Sequence, residues 1–250
     1  MPELNPTLSQ YALLFLGGMI AGVLNVLAGG GSFLTLPILI FLGLPATMAN
    51  GTNRVGILLQ NVAATASFQR DKVLDWRFTG RMAAPAVIGA ACGTLVALHT
   101  GETSFKRILA TLMIVITLWT LWDPAGRANG RKVTSPALMA AGFFMVGLYG
   151  GFVQAGVGFL ILALTTLAGF DLVRGNAIKV LMVLLFTTVS LAIFAWNGQV
   201  VWSVGLVLAG GTILGGLAGA RLTILKGHAW VRVVVTVVVV VMAIRLWATS

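Results

Sequence analysis

The chain has 250 residues, of which 58% are hydrophobic and 9% charged, with a mean hydropathy of +1.00. Soluble domains carry roughly 25% charged residues, so this composition excludes one and points to an all-α polytopic membrane protein. The net charge of +10 is spread over loops between apolar stretches, which excludes a nucleic-acid footprint, and the lone Cys92 excludes an intrachain disulfide or a multi-cysteine metal site.

In chain order the apolar stretches run over Tyr11 to Ala28, Phe33 to Leu42, Val55 to Phe68, Met82 to Leu98, Ile108 to Trp122, Pro136 to Val153, Phe159 to Phe170, Ala177 to Ala195, Val200 to Ala220 and Trp230 to Trp247. Most approach the roughly 20 residues that span a bilayer as helix, giving about 8–10 membrane segments, whereas those after Gly31 and Gly158 are short. None alternates as an outer-membrane barrel strand would. The N-terminus carries Glu3 and no basic run before Tyr11, so the first stretch reads as a retained segment and not as a cleaved leader.

The chain repeats itself with a shift of 126 residues: Phe33 falls on Phe159, Leu34 on Leu160, Gly43 on Gly169, Asn50 on Asn176, Trp76 on Trp202 and Gly89 on Gly215. The expected organisation is a first transmembrane repeat over 11–122, a cytoplasmic connection over 123–136 and a second repeat over 137–248. Loop charge separates the two copies. Arg70, Lys72, Arg77 and Arg81 form a basic loop, as do Arg127, Arg131 and Lys132, then Arg174 and Lys179, then Arg221, Lys226 and Arg232, and all should be cytoplasmic. The counterpart of the first basic loop, Trp196 to Trp202, has no basic residue. Equivalent loops of unlike charge imply an inverted repeat, with either five segments per half or three spans plus a re-entrant hairpin. Lys106 and Arg107 lie near the outer face in that scheme and speak against it, with Glu102 as partial compensation. A parallel duplication of four spans per half is the alternative.

Two glycine breaks are register-matched: Ala28 to Phe33, containing Gly29, Gly30, Gly31 and Ser32, and Gln154 to Phe159, containing Gly156 and Gly158. Short helices starting at Ser32 and Gly158 would aim their free N–H groups and positive dipole ends into the protein, which suits an anion, and Ser32 could cap the first. The alternative is that the glycines merely allow close helix packing. Further on, Asn50, Thr52, Asn53 and Arg54 in the first half and Asn176 and Lys179 in the second place an amide and a permanent cation at the start of a long apolar helix. These are the expected anion contacts, with snorkelling to headgroups as the competing reading for the two cations. Asn25, Gln60, Asn61 and Gln154 could face the pathway or a neighbouring helix, and Cys92 reads as a small packing residue. All six acids, Glu3, Asp71, Asp75, Glu102, Asp123 and Asp171, lie in loops or at segment ends, which disfavours a carboxylate proton relay and favours an anionic substrate. No nucleophile and base are grouped as an enzyme would need, no Lys-Ser or Lys-Thr follows Gly31 as a nucleotide loop requires, and no cofactor is expected.

On the stretch from Gly29 to Asn53 (GGGSFLTLPILIFLGLPATMANGTN) and its weaker copy from Gly151 to Lys179, the chain resembles the sulfite exporter TauE/SafE family, also called the toluene sulfonate uptake permease family. The resemblance covers nearly the whole chain. It implies a permease of the bacterial or archaeal inner membrane for small sulfur-containing or organic anions such as sulfite, sulfoacetate, sulfonates or thiosulfate. Asn53 and Arg54 depart from the apolar or small residues that the family motif implies after the Gly-Thr pair. The expected function is a secondary transporter or facilitator of a small anion, the alternative a membrane partner that channels a sulfur species to another protein. The expected partners are the substrate and the lipid bilayer, with no nucleic acid and with a homo-oligomer left open.

Overall fold

A computed structural model describes residues 7–122 and 135–226. All regular structure among them is helical: α1 (Leu8–Ala28), α2 (Ser32–Phe41), α3 (Ala46–Arg70), α4 (Trp76–Leu98), α5 (Glu102–Trp122), α6 (Pro136–Phe152), α7 (Val157–Leu167), α8 (Leu172–Trp196) and α9 (Trp202–Lys226). The expected last segment, Trp230 to Trp247, and most of the connection over 123–136 lie outside the described residues. Among these helices α1, α4 and α8 contain windows long and apolar enough to cross a membrane. The helix starts follow the register of the sequence: α8 begins and ends 126 residues after α3, and α9 begins 126 after α4.

Local chemistry sets many of the ends. Thr7 and Gln10 form a capping box on α1, Asp75 caps α4, Ser135 caps α6 ahead of Pro136, and Asp171 caps α8. The Asp171 carboxylate accepts the N–H groups of Arg174 and Val173, which holds it below the ordinary carboxylate range. Glu102 reaches back from the start of α5 to accept the N–H of Ala46, and it pairs with Lys106 at 3.0 Å, so that cation is partly neutralised where it stands. Gly43 and Gly169, register partners with φ of 96° and 90°, turn the chain from each short helix into the long one after it.

The directions of the helices follow from who meets whom. Along α9, Gly205 lies against Thr52 and Val55 of α3, Leu208 against Gly56 of α3 and Gly18 of α1, and Gly216 against Gln60 of α3 and Gly22 of α1, so α1, α3 and α9 run the same way. The first turns of α3 meet the far end of α8, where Gly51 packs on Phe194 and Thr52 accepts the N–H of Val201, while Lys179 near the start of α8 lies beside Asn25, itself bonded to Gln60 midway along α3. The register partners α3 and α8 therefore run antiparallel.

Each glycine break falls part-way along a long helix of its own half. Asn25 at the end of α1 is level with the middle of α3, and α2 returns the chain to the end at which α3 begins. Likewise Gly150 at the end of α6 packs on Phe186 in the middle of α8, and α7 returns to the start of α8. These two hairpins enter from opposite ends and meet tip to tip. A Cβ on Gly29 would lie 2.9 Å from Cα of Gly158, Phe33 packs over Gly156, and Phe159 packs over Gly30. The matched Phe residues thus fill the glycine gap of the other half.

Two glycine-lined crossings hold the long helices together. Gly18 and Gly22 of α1 face Gly211 and Gly215 of α9, and Gly89 and Gly93 of α4 face Gly147 and Gly151 of α6. Small residues at four-residue spacing let backbones touch, and van der Waals packing then supplies what the hydrophobic effect cannot supply between helices in lipid. Cys92 differs from its expectation: it is exposed on α4, while Gly93 beside it makes the contact. A Cβ at Gly93 would come within 1.9 Å of the Leu148 carbonyl oxygen, and one at Gly215 within 1.9 Å of the Met19 carbonyl oxygen. Gly93→Ala and Gly215→Ala should each lower the melting temperature in detergent, because about 1–3 kcal/mol of overpacking outweighs the better helix propensity of alanine. Gly80→Ala, with no atom within 4 Å of its Cβ, should be neutral or mildly stabilising in the same melt.

Candidate functional site

Where the hairpin tips meet, a cavity of ≈ 360 Å³ opens between α3 and α8. Its deep end carries Asn25, Gly29, Ser32, Gln154, Gly158 and Lys179, and it extends past Asn176, Ala64, Ser67 and Phe68 to Asp71 at the C-terminal end of α3. The walls between are apolar, with Val26, Ile57, Val157, Val180, Val183, Ile213 and Leu217. A mostly apolar concavity with a few convergent polar groups is the ordinary form of a small-molecule site.

The amides of the deep end are held in place by hydrogen bonds to one another and to groups behind the cavity wall. Asn25 Nδ2 donates to Gln60 Oε1 at 2.9 Å, and Gln60 Nε2 donates to the Gly22 carbonyl at 3.2 Å. Gln154 Nε2 donates to Thr187 Oγ1 at 2.6 Å. Lys179 is 4% exposed, and its ammonium has a long 3.5 Å contact to the Asn25 carbonyl. An ammonium can donate three hydrogen bonds, so this cation has capacity left for a ligand. Asn176 also presents a buried Oδ1 with no partner. Neither short helix has a side-chain cap: Ser32 is the first residue of α2 and Gly31 its cap position, which corrects the expected capping role of Ser32, and Gly156 precedes α7 with φ of 74°. Two uncapped N-termini and a lysine converge on one cavity, an arrangement suited to negative charge.

The expected contacts of the first half lie elsewhere. Asn50, Thr52, Asn53 and Arg54 are buried and do not line the cavity. The reason is that α3 and α8 begin four residues before Asn50 and Asn176, so Arg54 stands in the third turn, fully buried, and does not snorkel. Its guanidinium caps the end of α6: Nη2 donates to the carbonyls of Gly150 at 3.1 Å and Gly151 at 2.5 Å, Nη1 donates to Gln154 Oε1 at 2.8 Å, and the plane lies 5.0 Å from the centre of the Phe194 ring. Asn50 Nδ2 donates to the Phe152 carbonyl at 2.7 Å, and Asn53 accepts from Thr35 at 2.7 Å. Gly30, Gly31 and Gly156 are packing positions at the tips, whereas Gly158 serves both as tip and as cavity lining. Conversely Asn25, Gln60, Asn61 and Gln154, which the sequence left undecided, all face the cavity. The signal was there, since an amide in an apolar run must find a partner.

A bundle of apolar helices with two glycine-tipped hairpins meeting at a central cavity defines a multi-pass membrane transporter. Residues 14–246 match the family model described as Sulfite exporter TauE/SafE, and the chain belongs to that family. Among similar curated proteins, a "Probable membrane transporter protein" of Haemophilus influenzae is 31% identical over 238 residues, covering 94% of this chain and 93% of the relative. The "Probable membrane transporter protein ORF9" of Sinorhizobium sp is 30% identical over 240 residues, covering 95% and 92%, and the "Probable membrane transporter protein YfcA" of Escherichia coli K12 is 32% identical over 239 residues, covering 94% and 88%. No solved structure matches the chain significantly.

The tips leave a direct test of the site. Gly158→Ala would push a methyl to 2.7 Å from Cα of Gly29, into backbone that cannot rotate away, and should separate the tips. Loss of transport is expected, with the protein still extracted as a folded species by size-exclusion chromatography. Gly43→Ala, whose Cβ meets no atom within 4 Å, adds only the strain of its φ of 96° and should retain transport.

Proposed function

We propose that the chain is a secondary transporter or facilitator of a small anion, of the sulfur-oxyanion or organosulfonate class, bound between the halves at the deep end of the cavity. The observation that carries this reading is the convergence of Lys179 and the N-termini of α2 and α7 on one cavity whose deep lining holds amides and no carboxylate. The family description, sulfite exporter, supplies the chemical class. An ammonium, amide groups and helix-terminal N–H groups together offer donors around an oxyanion, and the apolar walls leave room for an organic substituent.

The same reading assigns the orientation. The cavity reaches Asp71, and the helix ends on that side carry Arg70, Lys72, Arg77, Arg81 and Arg174, so by the positive-inside rule it faces the cytoplasm of a bacterial or archaeal inner membrane. The antiparallel course of α3 and α8 supports two repeats of opposite orientation, each made of a glycine-tipped hairpin and full crossings. In a Cys92→Ala background, Lys72→Cys should react with an impermeant thiol reagent from the cytoplasmic side and Asn197→Cys from the outer side. Reaction of both from one side would overturn the inverted arrangement.

Liposomes containing the purified protein should accumulate labelled sulfite or a labelled organosulfonate above protein-free controls. Lys179→Gln should weaken the apparent affinity roughly tenfold to a hundredfold, the equivalent of about 1.5–3 kcal/mol for a charge-assisted contact. Uptake with unchanged affinity in that variant would remove Lys179 from the anion site.

A further inference from the structure

Among the described residues one end of the bundle is closed by packed side chains, and those residues are the register partners of residues that line the cavity at the other end. At the sealed end Asn50 donates to the Phe152 carbonyl, Phe194 packs on Gly51 and under Arg54, and Thr52 accepts the N–H of Val201 at 3.0 Å. Adding or subtracting 126 turns Asn50 into Asn176, Phe152 into Val26 and Phe194 into Phe68, and all three of these partners line the open cavity. Ser190, fully buried at the sealed end against Thr94, is likewise the partner of cavity-lining Ala64.

Resting on the transporter reading above, we infer that these two sets are alternating gates and that Arg54 is the latch of the sealed one, a positioning residue and not an anion contact. In the opposite state Asn176 donates to the Val26 carbonyl as Asn50 now does to Phe152, and Phe68 packs on Ala177 and Val180, the register partners of the Gly51 and Arg54 on which Phe194 now packs, with Lys179 one residue before Val180. Opening the sealed end then requires Arg54 to release the Gly150 and Gly151 carbonyls and the Oε1 of cavity-lining Gln154, whose Nε2 stays on Thr187. Asn176 makes no hydrogen bond to the Val26 carbonyl in the present state, and the ammonium of Lys179 has only its long contact to Asn25.

The first test reads accessibility, which needs no known substrate, so it stands or falls separately from the anion assignment. In Cys92→Ala protein in oriented membranes, Ala64→Cys should react with an impermeant maleimide from the cytoplasmic side, and Ser190→Cys only slowly, from the outer side. Adding Arg54→Gln should raise the outer-side rate at Ser190→Cys several-fold and lower the cytoplasmic rate at Ala64→Cys. Unchanged rates at both positions, or a rise at Ser190→Cys from the cytoplasmic side, would overturn the latch. Because Arg54→Gln could also fail to fold, a second measurement leaves Arg54 in place. A disulfide between Thr52→Cys and Val201→Cys should abolish transport reversibly while Ala64→Cys stays reactive. Full transport with that disulfide formed would overturn the gate at the sealed end.

Discussion

Two helices that end at glycine breaks inside an apolar bundle leave carbonyls that their own last turns only partly satisfy, and the rest of the architecture answers that demand. In water such groups would be hydrated, but at this depth each must find a donor within the protein. The donors come across the midline. Arg54 of the first half caps the end of α6 in the second, and Lys179 of the second half adds a long contact to the Asn25 carbonyl at the end of α1 in the first, which already accepts the Gly29 N–H at 2.8 Å. Cations at helix C-termini are also favoured by the dipole. Each half therefore completes the other, which explains why the glycine tips, the Phe residues behind them and the two cations all come in pairs.

This division of labour accounts for the polarity of α3. Its Asn50 to Arg54 turn serves the sealed end, and its Gln60 and Asn61 serve the cavity, so one helix carries both gate and lining. Its partner α8 does the same in the opposite sense, with Asn176 and Lys179 at the cavity and Phe194 at the seal. The antiparallel pair is thus the element on which both ends of the pathway are written, while the glycine crossings of α1 with α9 and of α4 with α6 act as frames around it.

Much of this was legible from residue patterns. The short helices after the two glycine breaks start at Ser32 and within one residue of Gly158, and Trp76, Trp196 and Trp202 stand at helix ends as interfacial residues would. Composition and loop charge were enough for an all-helical membrane protein because both are properties of single segments. The role of Arg54 was not legible for the opposite reason. A guanidinium near the beginning of one helix looks free until the end of another helix, about 100 residues away, is placed beside it. The cavity amides were undecided on the same ground: which way Asn25 or Gln154 faces depends on helix rotation, and a fully apolar surround gives no amphipathic pattern to fix that rotation. The start of α3 was misplaced because Pro45 and Ala46 offer a weaker sequence signal than the Asn-Gly-Thr that follows.

The two cations are not interchangeable, and their chemistry fits their unequal tasks. A planar guanidinium can hold two successive carbonyls and an amide at once, which makes Arg54 a stiff closure, whereas an ammonium on a flexible stem is a point charge that can exchange one oxygen for another. Under the alternating-gate proposal, Arg54 engaged on Gly150, Gly151 and Gln154 and Lys179 on one distant carbonyl make the two arrangements of the halves unequal in free energy. The empty protein is then biased toward the state sealed at the Arg54 end and open at the basic end. An anion that takes up the spare donors of Lys179 acts on that bias directly, because a ligand shifts such an equilibrium only by the difference in its affinity for the two states.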